Sequence, residues 1–177
     1  MPSLPDWLAP GLRAVSIGIN PSLPSARAGF PFANPRNRFW PALNASRLVA
    51  APLEPGVAAM NVLLERDGIG FTDVVKQATA MERNVPREEF RRGAAVLLEK
   101  LRAYRPGLIW LHGRTPLNAL CKIAGLKPGA QYWGLQAVRL EGIPLFVTPN
   151  PSPANAAFSL ADLIEWYGRL ERAMNDH

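Results

Sequence analysis

Short apolar runs alternate with longer periodic segments along this chain. The runs are bounded by proline, glycine or asparagine, and short runs with such boundaries are typical of buried strands. The Glu141-Gly142 dipeptide separates two of them and fits a tight turn. The pattern predicts strands at 14–19, 108–112, 137–140 and 144–147, and a turn or short strand at 69–75.

The periodic segments between these runs have the end signals of helices. The clearest is 86–104, where Pro86 opens the segment, Glu88 and Glu89 occupy its first turn, and Pro106 follows its end. In the last segment of the chain, apolar residues recur on a single helical face. The pattern predicts helices at 38–49, 55–66, 86–104, 116–124 and 159–174.

Strands that alternate with helices predict an α/β protein. We expect one domain over residues 1–177, with three α/β/α layers around a short, mainly parallel central sheet. Residues 20–37 and 148–158 are interpreted as loops that leave strand ends. Because ligands of such sheets bind at the carboxyl ends of the strands, these loops are the expected place of a functional site.

Composition excludes several kinds of protein. The 177 residues are 48% hydrophobic and 19% charged, which suffices for one sizeable core. The single cysteine, Cys121, excludes a disulfide framework and a multi-cysteine metal cluster, and two histidines do not favour a histidine-rich metal site. No apolar run approaches the roughly 20 residues of a membrane span, and no secretory signal is recognised. We therefore expect a soluble cytoplasmic protein without a membrane partner.

The charge is basic and unevenly distributed. The formal net charge is +6, and residues 1–53 contain five arginines against the single acid Asp6, so +4 of it lies in the first third. A basic stretch with few acids is expected of a protein that binds a phosphate-bearing partner. A generally arginine-rich proteome explains the charge equally well.

Four segments carry the specific chemistry: GINPS at 18–22, GFPFANPRNRFW at 29–40, GIGFTD at 68–73 and NPSPANA at 150–156. In this order and spacing, the chain resembles the mismatch-specific uracil-DNA and thymine-DNA glycosylase family of the uracil-DNA glycosylase superfamily. The resemblance implies a single α/β/α domain that flips a damaged base out of DNA and hydrolyses its N-glycosidic bond. It implies no metal and no organic cofactor.

The resemblance assigns roles to the first loop. Asn20 would position the attacking water through its side-chain carbonyl, and Phe32 would stack against the flipped base. Ile19 would present its backbone to the pyrimidine edge, and Ser25 would line the pocket near the base 5-position. The residues alone leave other interpretations open: an Asx-type turn at Asn20, loop packing for Phe32 and ordinary solvation for Ser25.

Two further places are candidates for DNA contact. Arg38 lies at a predicted helix start behind Asn34 and Asn37, which suits a phosphate, or equally a helix cap with a solvated arginine. In the second loop, Ala154 replaces the family's leucine wedge and Ala156 its arginine, so strict recognition of an opposing guanine is in doubt. The predicted DNA-binding residues are Arg38, Asn150, Ser152, Pro153, Ala154 and Asn155.

The NPSP segment also resembles the HPSP loop of other uracil glycosylases. Asn150 replaces the histidine of that loop, so backbone donors would have to stabilise a departing uracil anion. Asp73 has no role by resemblance; its carboxylate would assist catalysis on the sugar side, or else cap a turn. His112 is interpreted as a satisfied histidine at a strand end. None of the four lysines lies in either loop, which disfavours Schiff-base lyase chemistry.

These observations favour a monofunctional glycosylase that removes uracil, and by extension related mispaired or damaged pyrimidines, and leaves an abasic site. Its catalytic residues would be Asn20 and Asp73. Its partner would be uracil-containing, mispaired or single-stranded DNA, and it would act as a monomer. The alternative is a non-catalytic DNA- or nucleotide-binding module on the same scaffold, which the small side chain of Ala154 keeps open.

Overall fold

The computed structural model describes residues 2–176, which form five strands and six α-helices. The strands are β1 (Ala14–Gly18), β2 (Ile69–Asp73), β3 (Ile109–His112), β4 (Gly134–Leu140) and β5 (Ile143–Thr148). The helices are α1 (Leu23–Ala28), α2 (Phe39–Ala45), α3 (Val57–Val62), α4 (Arg87–Tyr104), α5 (Arg114–Ala124) and α6 (Leu160–Asn175). A π-helical turn (Leu63–Asp67) extends α3, and a 3-10 turn (Glu82–Asn84) precedes α4.

The strands form a single sheet in the order β2-β1-β3-β5-β4. The first four strands of that order are parallel, and β4 runs antiparallel to β5 across the Glu141-Gly142 turn. Parallel strands need crossover connections, and helices supply them on both faces of the sheet. The predicted α/β fold with a short, mainly parallel sheet is confirmed.

Two apolar clusters fill the space on the two faces of this sheet. Phe39 of α2 and Tyr167 of α6 pack with Trp110 on one face. Leu97 of α4 and Leu117 of α5 pack with Ile17 on the other. All six side chains are almost fully buried, which explains why the strands have continuous apolar runs rather than alternating patterns.

Helix boundaries differ from the sequence pattern in three places. The predicted loop at 20–37 contains α1, which the Ser22 side chain caps at the Ser25 N–H and left-handed Gly29 ends. The helix predicted at 38–49 stops at Ala45, where Ser46 bonds back to the Leu43 carbonyl. The helix predicted at 55–66 starts later and changes to π geometry at Leu63.

The residues before β1 form a segment along the outer edge of β2. Trp7 and Phe71 exchange two backbone hydrogen bonds, at 2.8 and 2.9 Å. Further along, Ser3 forms an antiparallel bridge with Gln77, and the Ala78 N–H donates to the Pro2 carbonyl. We call residues 2–7 the N-terminal segment; it braces the chain that follows β2.

None of the helices within residues 2–176 is long and apolar enough to cross a membrane.

Candidate functional site

The site forms where β1 and β3 lie side by side. The chain leaving β1 passes to the face covered by α2, whereas the chain leaving β3 enters α5 on the other face. Neighbouring strands whose connections diverge in this way open a crevice at their carboxyl ends. Side chains alternate along a strand, so Ser16, Gly18, Asp73 and His112 all point to the face under α2.

Asn20 follows β1 and is fixed through its amide nitrogen. Nδ2 donates to the Gln77 carbonyl at 3.0 Å and to Thr79 Oγ1 at 2.8 Å. Thr79 Oγ1 in turn donates to the Met81 carbonyl at 2.7 Å. Both amide protons are therefore used, and within residues 2–176 the Oδ1 atom receives no hydrogen bond. The side chain presents an oriented carbonyl oxygen, which is the group that could hold a water.

Phe32 packs beside the end of β3. Its ring stacks on the buried Phe39 ring at 4.1 Å between centroids and meets the edge of the His112 ring at 5.0 Å. Its φ angle is 57°, a left-handed conformation that costs an L side chain about 1–3 kcal/mol. The partly exposed ring is thus held by packing, and the strained backbone indicates a positional requirement.

His112 ends β3 and is buried. Its Nε2 atom lies 2.9 Å from Ser16 Oγ, but Nδ1 has no partner among the described residues. The prediction of a satisfied histidine is therefore wrong for one of its two nitrogens. Burial lowers the pKa of His112 to about 3, so the imidazole is neutral at physiological pH.

Asp73 ends β2 beside the same crevice. Its side chain is 15% exposed, and Lys76 Nζ lies 4.0 Å from Oδ2, beyond hydrogen-bonding distance. Burial raises the pKa of Asp73 from 3.8 to about 6; Lys76 opposes that rise and Asp6 adds to it. Within residues 2–176 no backbone N–H donates to this carboxylate, so the alternative of a turn cap is wrong.

Gly18 makes room for that carboxylate. A Cβ atom at position 18 would lie 2.6 Å from Asp73 Oδ1, which is too close for a real contact. Gly18 pairs with Asp73 in the sheet register, and Asn20 comes two residues later. The absent side chain therefore lets the carboxylate lie over β1, near the start of the Asn20 loop.

Ile19 and Ser25, which are predicted to contact the base, also form hydrogen bonds within the protein. The Ile19 carbonyl accepts a hydrogen bond from the Val75 N–H at 2.8 Å. Ser25 is 4% exposed, and its Oγ accepts from the Ala33 N–H at 3.2 Å, next to Phe32. Burial contradicts the alternative of a solvated Ser25. Contact of either residue with a base stays a prediction.

Arg38 differs most from expectation. Its guanidinium donates to the carbonyls of the second loop: to Pro151, to Ser152 at 2.9 Å, to Asn155 at 2.8 Å and to Phe158. These partners lie 113–120 residues away in sequence. The side chain is thus neither a simple solvated arginine nor a freely presented phosphate ligand; it holds the loop after β5 in shape.

The second loop is organised by its own side chains. Asn150 Oδ1 accepts from the Ser152 N–H at 2.9 Å, and the Asn155 amide donates to the Asn150 carbonyl at 3.0 Å. Ser152 Oγ accepts from the Ala154 N–H at 3.2 Å. Pro153 and Ala154 are left exposed at the tip. That tip is the predicted DNA-facing element, and its contacts with DNA stay a prediction.

Sequence reasoning missed three contributors to the site. Gln77 and Thr79 anchor Asn20, and Asp6 accepts hydrogen bonds from Lys76 and Lys100, each at 2.6 Å. The only available signal was their position shortly after the GIGFTD segment, or in the first residues of the chain. Across residues 2–176, no group of three or more His, Cys, Asp or Glu side chains is arranged to hold a metal ion.

Comparison with known proteins decides the family. The family model "UDG: Uracil DNA glycosylase superfamily" matches residues 5–171, nearly the whole chain. The chain belongs to the uracil DNA glycosylase superfamily. Membership supports DNA glycosylase activity in general and DNA as the partner. The match does not assign the chain to the mismatch-specific uracil-DNA and thymine-DNA glycosylase branch of the superfamily.

The fold has a counterpart among solved structures. A candidate uracil DNA glycosylase from Methanosarcina acetivorans, whose solution structure was determined by NMR, superposes with a TM-score of 0.60. The match covers 96% of this chain and 97% of that chain at 22% sequence identity. At this identity the likeness shows the shared fold.

Proposed function

We propose that this member of the superfamily is a monofunctional DNA glycosylase that removes uracil, together with related mispaired or damaged pyrimidines, and leaves an abasic site. The observation that carries the proposal is the Asn20 side chain, whose two amide protons are occupied while its carbonyl oxygen receives no hydrogen bond within residues 2–176. A glycosylase needs an oriented acceptor of this kind to hold the attacking water.

The remaining groups fit the demands of base excision. A flipped base needs a stacking surface, and the Phe32 ring, supported from behind by Phe39, supplies one. The sugar develops positive charge as the glycosidic bond breaks, and an ionised Asp73 on the sugar side would stabilise it. Asp73 would also accept the proton of the water that Asn20 holds.

The product would be a plain abasic site, because no lysine is available for attack on the sugar. Lys76 is the lysine nearest to Asp73, and its amine donates to Asp6 at 2.6 Å. A Schiff base requires a free amine in the pocket, and this one is engaged elsewhere. We further propose that the protein acts as a monomer in the cytoplasm, on uracil that is mispaired or single-stranded.

A single assay tests the reaction. The protein is incubated with labelled duplexes containing U·G, U·A or T·G and with single-stranded uracil, and abasic sites are revealed with alkali. We expect alkali-dependent cleavage with the uracil substrates and no cleavage without alkali. Binding of every substrate without alkali-sensitive product would favour the non-catalytic module, for which the short tip residue Ala154 is the supporting observation.

A further inference from the structure

A network of charged side chains connects the N-terminal segment with Asp73. Asp6 Oδ1 accepts from Thr72 Oγ1 and from Lys76 Nζ, both at 2.6 Å. Asp6 Oδ2 accepts from Lys100 Nζ of α4, also at 2.6 Å. Asp6 therefore receives three hydrogen bonds, two of them from ammonium groups.

Asp73 receives none of these donors, although it competes for the same cation. Lys76 Nζ lies 2.6 Å from Asp6 but 4.0 Å from Asp73 Oδ2. The charged groups that act on Asp73 are Asp6 from the N-terminal segment, Lys76 from the chain after β2, Lys100 from α4 and Glu82 from the 3-10 turn. The two lysines favour the ionised form of Asp73, and the two acids oppose it.

The position of Asp6 is fixed by backbone pairing rather than by the charges alone. The adjacent Trp7 exchanges two hydrogen bonds with Phe71, two residues before Asp73. The same segment bridges Gln77, whose carbonyl holds the Asn20 amide. One stretch of chain thus supports both proposed catalytic side chains.

We propose that Asp6 is a positioning residue for Asp73: by holding the Lys76 ammonium on its own carboxylate, it keeps that ammonium 4.0 Å from Asp73, beyond hydrogen-bonding distance, and leaves the Asp73 carboxylate able to exchange a proton. The proposal rests on the function proposed above. Without Asp6, Lys76 would be free to close the gap to Asp73, and one repulsive negative charge would disappear. Both changes favour the ionised form of Asp73.

The test compares Asp6→Asn with Lys76→Met, which should act in opposite directions. The ionisation of Asp73 is followed directly by carboxyl ¹³C NMR, with the resonance assigned through Asp73→Asn. The pH dependence of single-turnover excision is measured in parallel on single-stranded uracil DNA. The 177-residue chain is used throughout.

We expect Asp6→Asn to lower the pH midpoint of Asp73 titration by about 1–2 units and Lys76→Met to raise it. The acid limb of the excision rate should move with it. Near pH 5, a midpoint lowered in this way would increase the rate of Asp6→Asn about five- to tenfold relative to the wild-type rate at that pH. A residue that only stabilises the fold would not increase the rate.

Two matched variants separate charge from damage to the fold. Asp6→Glu keeps the carboxylate and should restore the wild-type midpoint. Glu165→Gln removes a surface acid that pairs with Arg169 on α6, and should leave both the midpoint and the rate unchanged. If Asp6→Asn does not fold, the upward shift expected of Lys76→Met carries the test.

Failure of this inference differs from failure of the proposed function. An Asp73 midpoint that stays at its wild-type value in folded Asp6→Asn and Lys76→Met proteins overturns the inference, while uracil excision still supports the function. A shifted midpoint with a pH-independent excision rate supports control by Asp6 and contradicts the catalytic role of Asp73.

Discussion

The loops after β1 and after β5 both contain Asn-Pro-Ser, at residues 20–22 and 150–152, but the two asparagines make opposite kinds of hydrogen bond. Asn20 donates both amide protons to the chain at 77–79, which leaves its carbonyl oxygen available. The side-chain carbonyl oxygen of Asn150 accepts a hydrogen bond from the Ser152 N–H within the same turn. The contacts of the motif therefore depend on the chain that packs against it: the first asparagine keeps its carbonyl oxygen available, and the second shapes a loop.

The largest effect is expected from substitution of Asn20, the first of the two asparagines compared above. Asn20→Ala should lower the single-turnover excision rate by about 10³-fold, because loss of one positioned polar group commonly has an effect of this size. DNA affinity should change little. Asn150→Ala is the matched variant; since the carbonyl oxygen of its side chain is engaged within a turn, we expect a rate loss below about tenfold. Equal losses in the two variants would contradict the division of roles.

The second prediction concerns Asp73, the other proposed catalytic residue. Asp73→Asn should reduce the excision rate by about 10²-fold, within the usual range for a general base. The wild-type rate should fall as the pH drops through about 6, where Asp73 becomes protonated. A variant with the wild-type rate and pH profile would contradict a catalytic Asp73.

The same substitution makes a prediction about stability with a definite sign. The folded pKa of Asp73 lies above its ordinary value of 3.8, so this group lowers stability progressively as the pH rises from about 3.8 to about 6, and the loss is complete above that range. A shift of this size corresponds to about 3 kcal/mol above that pH. Asp73→Asn should therefore raise Tm at about pH 8 and not at about pH 3. An acid kept at such a cost is expected at a functional site.

The fourth prediction concerns the support of the second loop. Arg38→Met keeps the long apolar stem but removes the donors to four loop carbonyls, and should lower stability by about 2–3 kcal/mol. Amide hydrogen exchange should increase within residues 150–158. Arg36→Met, a change at an exposed neighbour, is the control. If Arg38 instead contacts a phosphate, the salt dependence of DNA binding would weaken by about one ion.

The smallest effect is expected from a substitution at the tip of the second loop. Ala154→Leu adds apolar surface where a wedge would fill the space left by a flipped base. We expect the rate on U·A duplexes to rise about three- to tenfold, with no change on single strands, where no stack must be opened. Ala161→Leu, on the exposed side of α6, should change neither rate. An equal gain on single strands would indicate general stabilisation instead.

The sequence pattern predicted what depends on local periodicity and end signals. The strands at 14–19 and 108–112 and the helices at 86–104 and 159–174 were placed within about two residues, since each has a buried apolar core or clear caps. The helix Leu23–Ala28 was missed because it is short, contains Pro24 and lies in a stretch rich in turn residues. Its only local signals were Ser22 before it and Gly29 after it.

The site was predictable to the level of residue types and loops, but not to the level of contacts. Nothing near Asn20 in the sequence shows that its amide meets residues 57 and 59 positions away. The four carbonyls around Arg38 and the ammonium groups around Asp6 are equally remote in sequence. Such long-range partners depend on the packed sheet, and they decide which atom of a side chain remains available.

The pairing of Trp7 with Phe71 has a consequence for association between molecules. β2 is the outermost strand on its side of the sheet, and the open rim of such a strand is a template on which a second chain can build an intermolecular ladder. The two hydrogen bonds between Trp7 and Phe71 occupy that template at mid-strand. Deletion of the first seven residues would uncover it, and the shortened protein would be expected to self-associate through β2, even at concentrations where the intact chain stays dispersed.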